Sequence, residues 1–278
     1  MKNCSITILS DNIADSNLES EHGFSLLLQT PNGSLLFDAG QDQVLFHNAQ
    51  KLDIDLRRID KFVLSHGHYD HCGGIAKLLR INPALKVFMH PGATVKRYSC
   101  HPGKPVKDIS MPEDIRKKLA LHPAVFPITA PVEILPKVWA TGEVPRRNSF
   151  EDTGGPFFLD VEKETPDPII DDLSLWVETP SGLVILLGCC HSGLVNTVEH
   201  IQKVSGAKKI AGIVGGMHLL HASDERIEKT CKKLAQWRPE FIMPCHCTGE
   251  VTTKIMHSRL GDRVTQGYAG TTMNFSMS

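Results

Sequence analysis

The sequence predicts an α/β (α+β) chain folded as a four-layer αββα sandwich, with two mixed sheets face to face and helices outside them. Two observations carry this prediction. Each half of the chain opens with short β-prone runs separated by turn residues and continues with strand-then-helix units. One apolar run after another then stops at a histidine, at His66, His191, His218 and His246. Strands that enter a sheet in parallel through helical crossovers put their C-terminal ends on one edge, where α/β proteins gather their sites. No strong internal repeat accompanies this order.

A length of 278 residues suits one large domain spanning 1–278. Lys plus Arg at 30 against Asp plus Glu at 31 gives a net charge of −1, without the basic footprint of a dedicated nucleic-acid binder. No run approaches the roughly 18 apolar residues of a membrane span. The start, MKNCSITILSDN, is too polar for a secretory signal. The 8 cysteines therefore point to reduced thiols and a cytoplasmic location rather than a disulfide scaffold.

In chain order, 5–9, 24–29 and 35–37 are β-prone, with Pro31-Asn32-Gly33 as the turn of a hairpin. Asp38 ends the third run, either as a turn or capping acid or as a carboxylate that orients a ligand imidazole. Residues 41–52 have helical spacing. Phe62, Val63 and Leu64 then read as a buried strand running into the densest histidine cluster in the chain, SHGHYDHCGG. In extended backbone His66 and His68 point the same way. Asp70 and His71 open the following helical pattern and face back, so that one pair suits one cation and the second pair its neighbour. Neutral imidazole with carboxylate suits zinc, and also iron or manganese.

Beyond the next helix, 87–89 is a strand ending at the turn residue His90. Prolines break the pattern over 99–131, which reads as a loop or lid; its Lys104, Lys107 and Arg116 either solvate a face or meet an anionic substrate. Strands resume at 132–135 and 138–141, and the turn TGEVPRR projects Glu143, Arg146 and Arg147. Further strands are expected at 157–161, 173–178 and 183–187, the last apolar throughout and hence central. It stops at GCCHSG, a second place where a buried strand ends in metal-capable groups. A helix at 194–204, a strand at 210–214 ending before His218, and a helix capped by Ser223 follow. The last clear strand, 241–243, runs into PCHCTGE, with His246 between two cysteines.

HGHYDH matches the His-x-His-x-Asp-His signature of the metallo-β-lactamase superfamily, and the element order resembles its αββα fold across nearly the whole chain. That resemblance implies a dinuclear site in which His66 and His68 hold one ion, completed by His191, while Asp70 and His71 hold the other with His246. Asp70 would also orient the nucleophile. Where members place a bridging aspartate, this chain has Gly188-Cys189-Cys190-His191, so Cys189 is the alternative ligand, its other reading being inert packing.

The set FDAG, SHGHYDHCGG, TGEVPR, DDLSLWVETPSGLVILLGCCHSG, GGMHLL and PCHCTG is similar to a narrower branch, typified by archaeal 7,8-dihydropterin-6-methyl-4-(β-D-ribofuranosyl)-aminobenzene-5'-phosphate synthase. The branch enzyme joins a pterin methyl pyrophosphate to a ribofuranosylaminobenzene phosphate with loss of pyrophosphate. It implies one or two divalent ions, zinc foremost, a small anionic phosphorylated or pyrophosphorylated substrate, and substrate contacts from Glu143, Arg146 and His218. The alternatives are a dinuclear hydrolase of a phosphoester, thioester or lactone-like molecule, and a non-enzymatic, metal-stabilised fold.

Overall fold

A computed structural model describes residues 2–277. The first half contains β1 (Lys2–Ser10), β2 (Ser25–Thr30), β3 (Gly33–Phe37), α1 (Val44–Lys51), β4 (Lys61–Val63), α2 (Tyr69–Cys72), α3 (Ile75–Ile81), β5 (Lys86–Met89), β6 (Tyr98–Ser99), β7 (Lys107–Asp108), α4 (Glu113–Leu121) and β8 (Val125–Pro127). The second half contains β9 (Val132–Leu135), β10 (Val138–Ala140), β11 (Phe157–Phe158), β12 (Leu175–Thr179), β13 (Gly182–Leu187), α5 (Leu194–Ser205), β14 (Ile210–Gly216), α6 (Asp224–Trp237), β15 (Phe241–Cys245), α7 (Glu250–Leu260) and β16 (Thr272–Met277).

A seven-stranded sheet runs β16-β1-β2-β3-β4-β5-β8, and a six-stranded sheet runs β15-β14-β13-β12-β10-β9. Both are mixed: β3, β4, β5 and β8 are mutually parallel, as are β13, β14 and β15, and the other pairs in the two sheets are antiparallel. A small third sheet, β11-β6-β7, lies beside them.

Side-chain alternation makes the four layers. Leu26, Leu28, Leu35 and Phe37 face Val177, Val184 and Leu186 of the other sheet, in a core between the sheets. Their chain neighbours Leu27 and Leu36 turn outward against α1, α3 and α4. On the far side Trp176, Ile185 and Leu187 pack against α5, α6 and α7. Each strand is apolar on both faces because each sheet is covered on both. Truncating one of these fully buried leucines to alanine costs about 2–5 kcal/mol.

Two elements differ from the sequence expectation. The stretch 99–131 contains α4, whose Ile115 and Leu119 enter the core, and β8, which pairs in parallel with β5. Its prolines sit where they do least harm: Pro112 immediately precedes the helix, and Pro127 ends a strand at the sheet's edge. Only its beginning has the looser character expected of a lid. At the other end β16 follows the last expected strand and pairs antiparallel with β1, Lys2 opposite Met277. The strand expected at 157–161 shortens to Phe157–Phe158. Among the described residues no helix is long and apolar enough to cross a membrane.

Candidate metal centre

The C-terminal ends of the parallel strands meet at one edge of the sandwich. Past β4 come His66, His68, Asp70 and His71; past β13 come Cys189 and His191; past β14 His218; past β15 His246. The backbone there is bent hard. Asp38, Cys190, His218 and His246 all have positive φ, at 63°, 62°, 46° and 49°, a conformation disfavoured outside glycine that collects at functional sites. Gly67 is required between the two histidines, because a Cβ there would lie 1.9 Å from the Ala93 carbonyl oxygen.

His66, His68 and His191 face one another, with ring centroids 4.4 Å, 4.8 Å and 4.9 Å apart. The second group brings its donor atoms together. His71 Nε2 lies 3.3 Å from His246 Nε2 and 3.0 Å from Cys189 Sγ, and Asp70 Oδ2 lies 3.5 Å from His246 Nε2. Cys189 belongs to both, since its Sγ also lies within 4.8 Å of donor atoms of His66 and His191.

Hydrogen bonds behind the rings decide which nitrogen faces inward. His191 Nδ1 donates to the Thr153 carbonyl at 2.7 Å, His71 Nδ1 to Asp38 at 2.6 Å, and His246 Nδ1 to Asn12 Oδ1 at 2.8 Å. Ser65 Oγ gives its proton to Asp38, so at 2.9 Å it accepts from His66 Nδ1. Each ring then offers Nε2 as a ligand atom. The Nε2 atoms of His66, His68 and His191 are buried with no hydrogen-bond partner. Such orphaned polar atoms are costly, and a divalent cation is the partner this donor set fits.

Electrostatics agree with that fit. Burial, reinforced by neighbouring cationic groups, holds His66, His68 and His191 well below the ordinary imidazole range, so they are neutral ligands. Burial alone would raise Asp70, but His71 and His246 outweigh it and keep the carboxyl ionised. Burial would also lower His71, yet Asp38 and Asp70 raise it to about 9. Burial drives the Cys189 thiol well above its ordinary value. A coordinating ion reverses that and draws off the proton.

Buried carboxylates pin the loops. Asp171 accepts from Gly67 N at 2.8 Å and from Arg97 at 2.9 and 3.2 Å; Asp172 accepts from Ser192 N at 2.8 Å. Glu151 receives Val195 N and Asn196 N at the start of α5, where the helix dipole favours an anion.

A cleft of about 430 Å³ opens over the donors. Asp70 is the only carboxylate among the described residues lining it, while Lys104 and Lys107 stand at its walls with Tyr69 and Phe157. Arg116 instead pairs with Glu113 at 3.2 Å on α4, and Lys107 donates to the Tyr69 hydroxyl at 2.6 Å. His218 lines the cleft. Glu143 and Arg146 do not: Glu143 bonds His90 Nε2 at 3.1 Å, and Arg146 donates to the carbonyls of His191 at 2.6 Å and Pro168 at 2.5 Å. Their turn faces the support of the His191 loop, so the long guanidinium ends on backbone rather than on substrate.

Two cleft residues, His22 and Cys247, stand outside the site set expected from the sequence. His22 reaches Asp70 Oδ2 at 3.2 Å from a loop where a lone histidine carries no pattern. Cys247 could have been found by counting, since it stands one residue past His246.

A sequence profile described as the metallo-β-lactamase superfamily matches residues 20–184. The chain is 31% identical over 263 residues to the 7,8-dihydropterin-6-methyl-4-(β-D-ribofuranosyl)-aminobenzene-5'-phosphate synthase of Methanocaldococcus jannaschii, covering 89% of this chain and 88% of the relative. It is 34% identical over 246 residues to the uncharacterized protein MJ0448 of the same organism, covering 88% and 90%. Among solved structures it resembles Tm1679, described as a metal-dependent hydrolase of the β-lactamase superfamily, with a TM-score of 0.83, 30% identity, and coverage of 97% and 98%.

Proposed function

The chain belongs to the metallo-β-lactamase superfamily, and from that premise we propose that it is a metal-dependent enzyme acting on a small phosphorylated or pyrophosphorylated molecule. In this reading His66, His68 and His191 would hold one divalent ion and Asp70, His71 and His246 a second, with Cys189 between the sets. Zinc accepts nitrogen, oxygen and thiolate together and is the ion the set suits best; iron and manganese are the alternatives. The observation that carries the reading is the trio of buried, unpartnered Nε2 atoms on His66, His68 and His191. Such ions, when bound, supply Lewis acidity to a phosphoryl or carbonyl oxygen and to a leaving pyrophosphate.

The chain's own residues do the rest. Lys104 and Lys107 draw an anion toward a cleft whose lining is otherwise poor in charge. Tyr69 and Phe157 offer ring faces to a planar aromatic group. Asp70, held ionised, orients a nucleophile, and His22 beside it at 3.2 Å is placed to take or return a proton at the cleft mouth. Transfer of a pterin methyl group to an aminobenzene ribofuranosyl phosphate is the preferred reaction, supported by the named synthase relative. Hydrolysis is the second reading, favoured by the likeness to a structure described as a hydrolase.

Incubation with a pterin methyl pyrophosphate and the aminobenzene ribofuranosyl phosphate separates the two. Pyrophosphate release that needs both partners supports transfer. Turnover of single phosphodiester, thioester or lactone substrates supports hydrolysis, and a metal-loaded protein inert to all of them speaks for a structural metal. His68→Ala is expected to cost about one ion per chain and all activity; a fully metallated, active variant would overturn the ligand assignment.

A further inference from the structure

Three adjacent parallel strands, β13, β14 and β15, deliver two more donors beside Cys189. Gly216 is opposite Cys245, so β14 and β15 end together, and Leu187 is opposite Gly215, so β13 ends one residue short of them. Cys189, His218 and Cys247 each stand two residues beyond the last residue of their strand. Neighbouring strand ends therefore deliver all three to one place. The two Sγ atoms and an imidazole nitrogen of His218 all lie within 4.8 Å of one another, and all three residues line the cleft.

The surrounding backbone holds this grouping in place. Gly216 N donates to the Gly188 carbonyl at 3.0 Å and Leu220 N to the Cys247 carbonyl at 3.1 Å, while Met217 N donates to Thr248 Oγ1 at 3.0 Å. The loop bearing His218 is thereby stitched to the loops bearing both cysteines. A Cβ on Gly216 would lie 2.7 Å from Cys247 Sγ, so that glycine keeps the thiol's space open. His218 is held at φ 46°, a cost that the two histidine sets do not explain. The thiol of Cys247 makes a long contact, 3.5 Å, to the Cys189 carbonyl.

We propose that Cys189, His218 and Cys247 form a thiolate-rich metal site in the cleft floor, separate in donor chemistry from the histidine and carboxylate sets and open to the cleft on its remaining side. Two sulfurs and one imidazole select a thiophilic divalent ion, zinc, cadmium or cobalt, over magnesium or manganese. Cys189 is shared with the histidine sets, but Cys247 and His218 are not. Cys247 is therefore the donor whose sulfur reports on this site alone.

The test is a cobalt(II) titration of the reduced, metal-stripped full-length chain, followed by thiolate-to-metal charge-transfer absorption, with the sulfur count of the zinc-loaded protein from X-ray absorption. Wild type is expected to show two sulfur donors per chain. Cys247→Ala and Cys247→Ser are expected to lose about half of the charge-transfer band while Cys189 keeps the remainder. His218→Ala should keep the band but reach it only at higher cobalt concentration. His68→Ala should leave the Cys247-dependent half intact, which separates this site from failure of the histidine set. A Cys247 variant with the band of wild type, or a single sulfur donor in wild type, overturns the proposal.

Discussion

His71 Nδ1 lies 2.6 Å from Asp38 Oδ2, and both side chains are fully buried. The same carboxylate accepts from Ser65 N at 2.7 Å and Ser65 Oγ at 2.7 Å, so it is satisfied on both oxygens and cannot swing away from the imidazole. It fixes the ring and strengthens its outward nitrogen as a ligand. Asp38→Asn keeps the shape and removes the charge. The expected outcome is metal affinity at the His71 set weakened by roughly 10–100-fold, with the fold retained. Competition against a chromophoric chelator measures it, and an unchanged affinity would show that His71 does not depend on this carboxylate.

In chelator-treated protein the same groups give stability a peak along the pH axis. Burial above all holds His66, His68 and His191 well below 6.5, and His218 at about 3. The unfolded chain takes up protons there that the folded chain refuses, so stability falls as pH drops below about 6.5. Asp11, which burial lifts to about 7, opposes that limb, as do Glu21, Asp167 and Asp172, which burial also raises, while His22 and His200, which burial lowers, add to it. His71 acts in the other direction: burial would lower it, but Asp38 and Asp70 raise it to about 9. Its contribution is whole below about 6.5 and is lost as pH rises through about 9. Melting temperatures across this range in excess chelator should peak near the middle, and Asp38→Asn should flatten the alkaline limb. A profile that climbs steadily to about pH 9 contradicts the assignment of His71.

The strand ends and the histidine loop are legible in the sequence because their signals are local. HGHYDH compresses four donors into six positions, and apolar runs mark the strands that lead to them. What escapes reading is non-local or depends on reach. β16 is a strand only because β1 lies ready to pair with it from the opposite end of the chain. His22 joins the cleft only through the loop closure in which Phe24 N donates to the Asp70 carbonyl at 3.2 Å. Arg146 looks like an anion hook in a polar turn, but its length carries it to two backbone carbonyls. The helix α4 is masked by prolines that bound it rather than interrupt it.

Lys104 and Lys107 make a separate prediction about substrate. Both line the cleft, and Lys107 also lies 4.4 Å from the Tyr69 ring centroid. Their exposure means that their effect acts through binding and salt rather than through stability. Lys104→Ala/Lys107→Ala is expected to raise KM for phosphorylated substrates by about tenfold, worth about 1.4 kcal/mol, with kcat little changed. The difference from wild type should shrink at high ionic strength. A variant whose KM is unchanged at low salt places the anion elsewhere in the cleft.

The Arg97 and Asp171 pair tests whether the support of the histidine loop is separable from the stability of the fold. Both side chains are buried, paired at 2.9 Å, and Asp171 also accepts from Gly67 N between the two histidines. Asp171→Ala leaves the buried guanidinium with Asp167 alone, at 3.3 Å from its Nε, and the expected loss is about 3 kcal/mol in urea unfolding. Replacing the whole group, Arg97→Met with Asp171→Leu and Asp167→Asn, removes the buried charges together, so most of that stability should return. Metal affinity at the His66 and His68 set should not return, because Gly67 N still lacks its acceptor and the turn that aims the two rings is no longer tied down. Recovery of both quantities together in the triple variant would show that the Asp171 carboxylate serves the fold alone, and that the aim of His66 and His68 is set by Gly67 packing against Ala93.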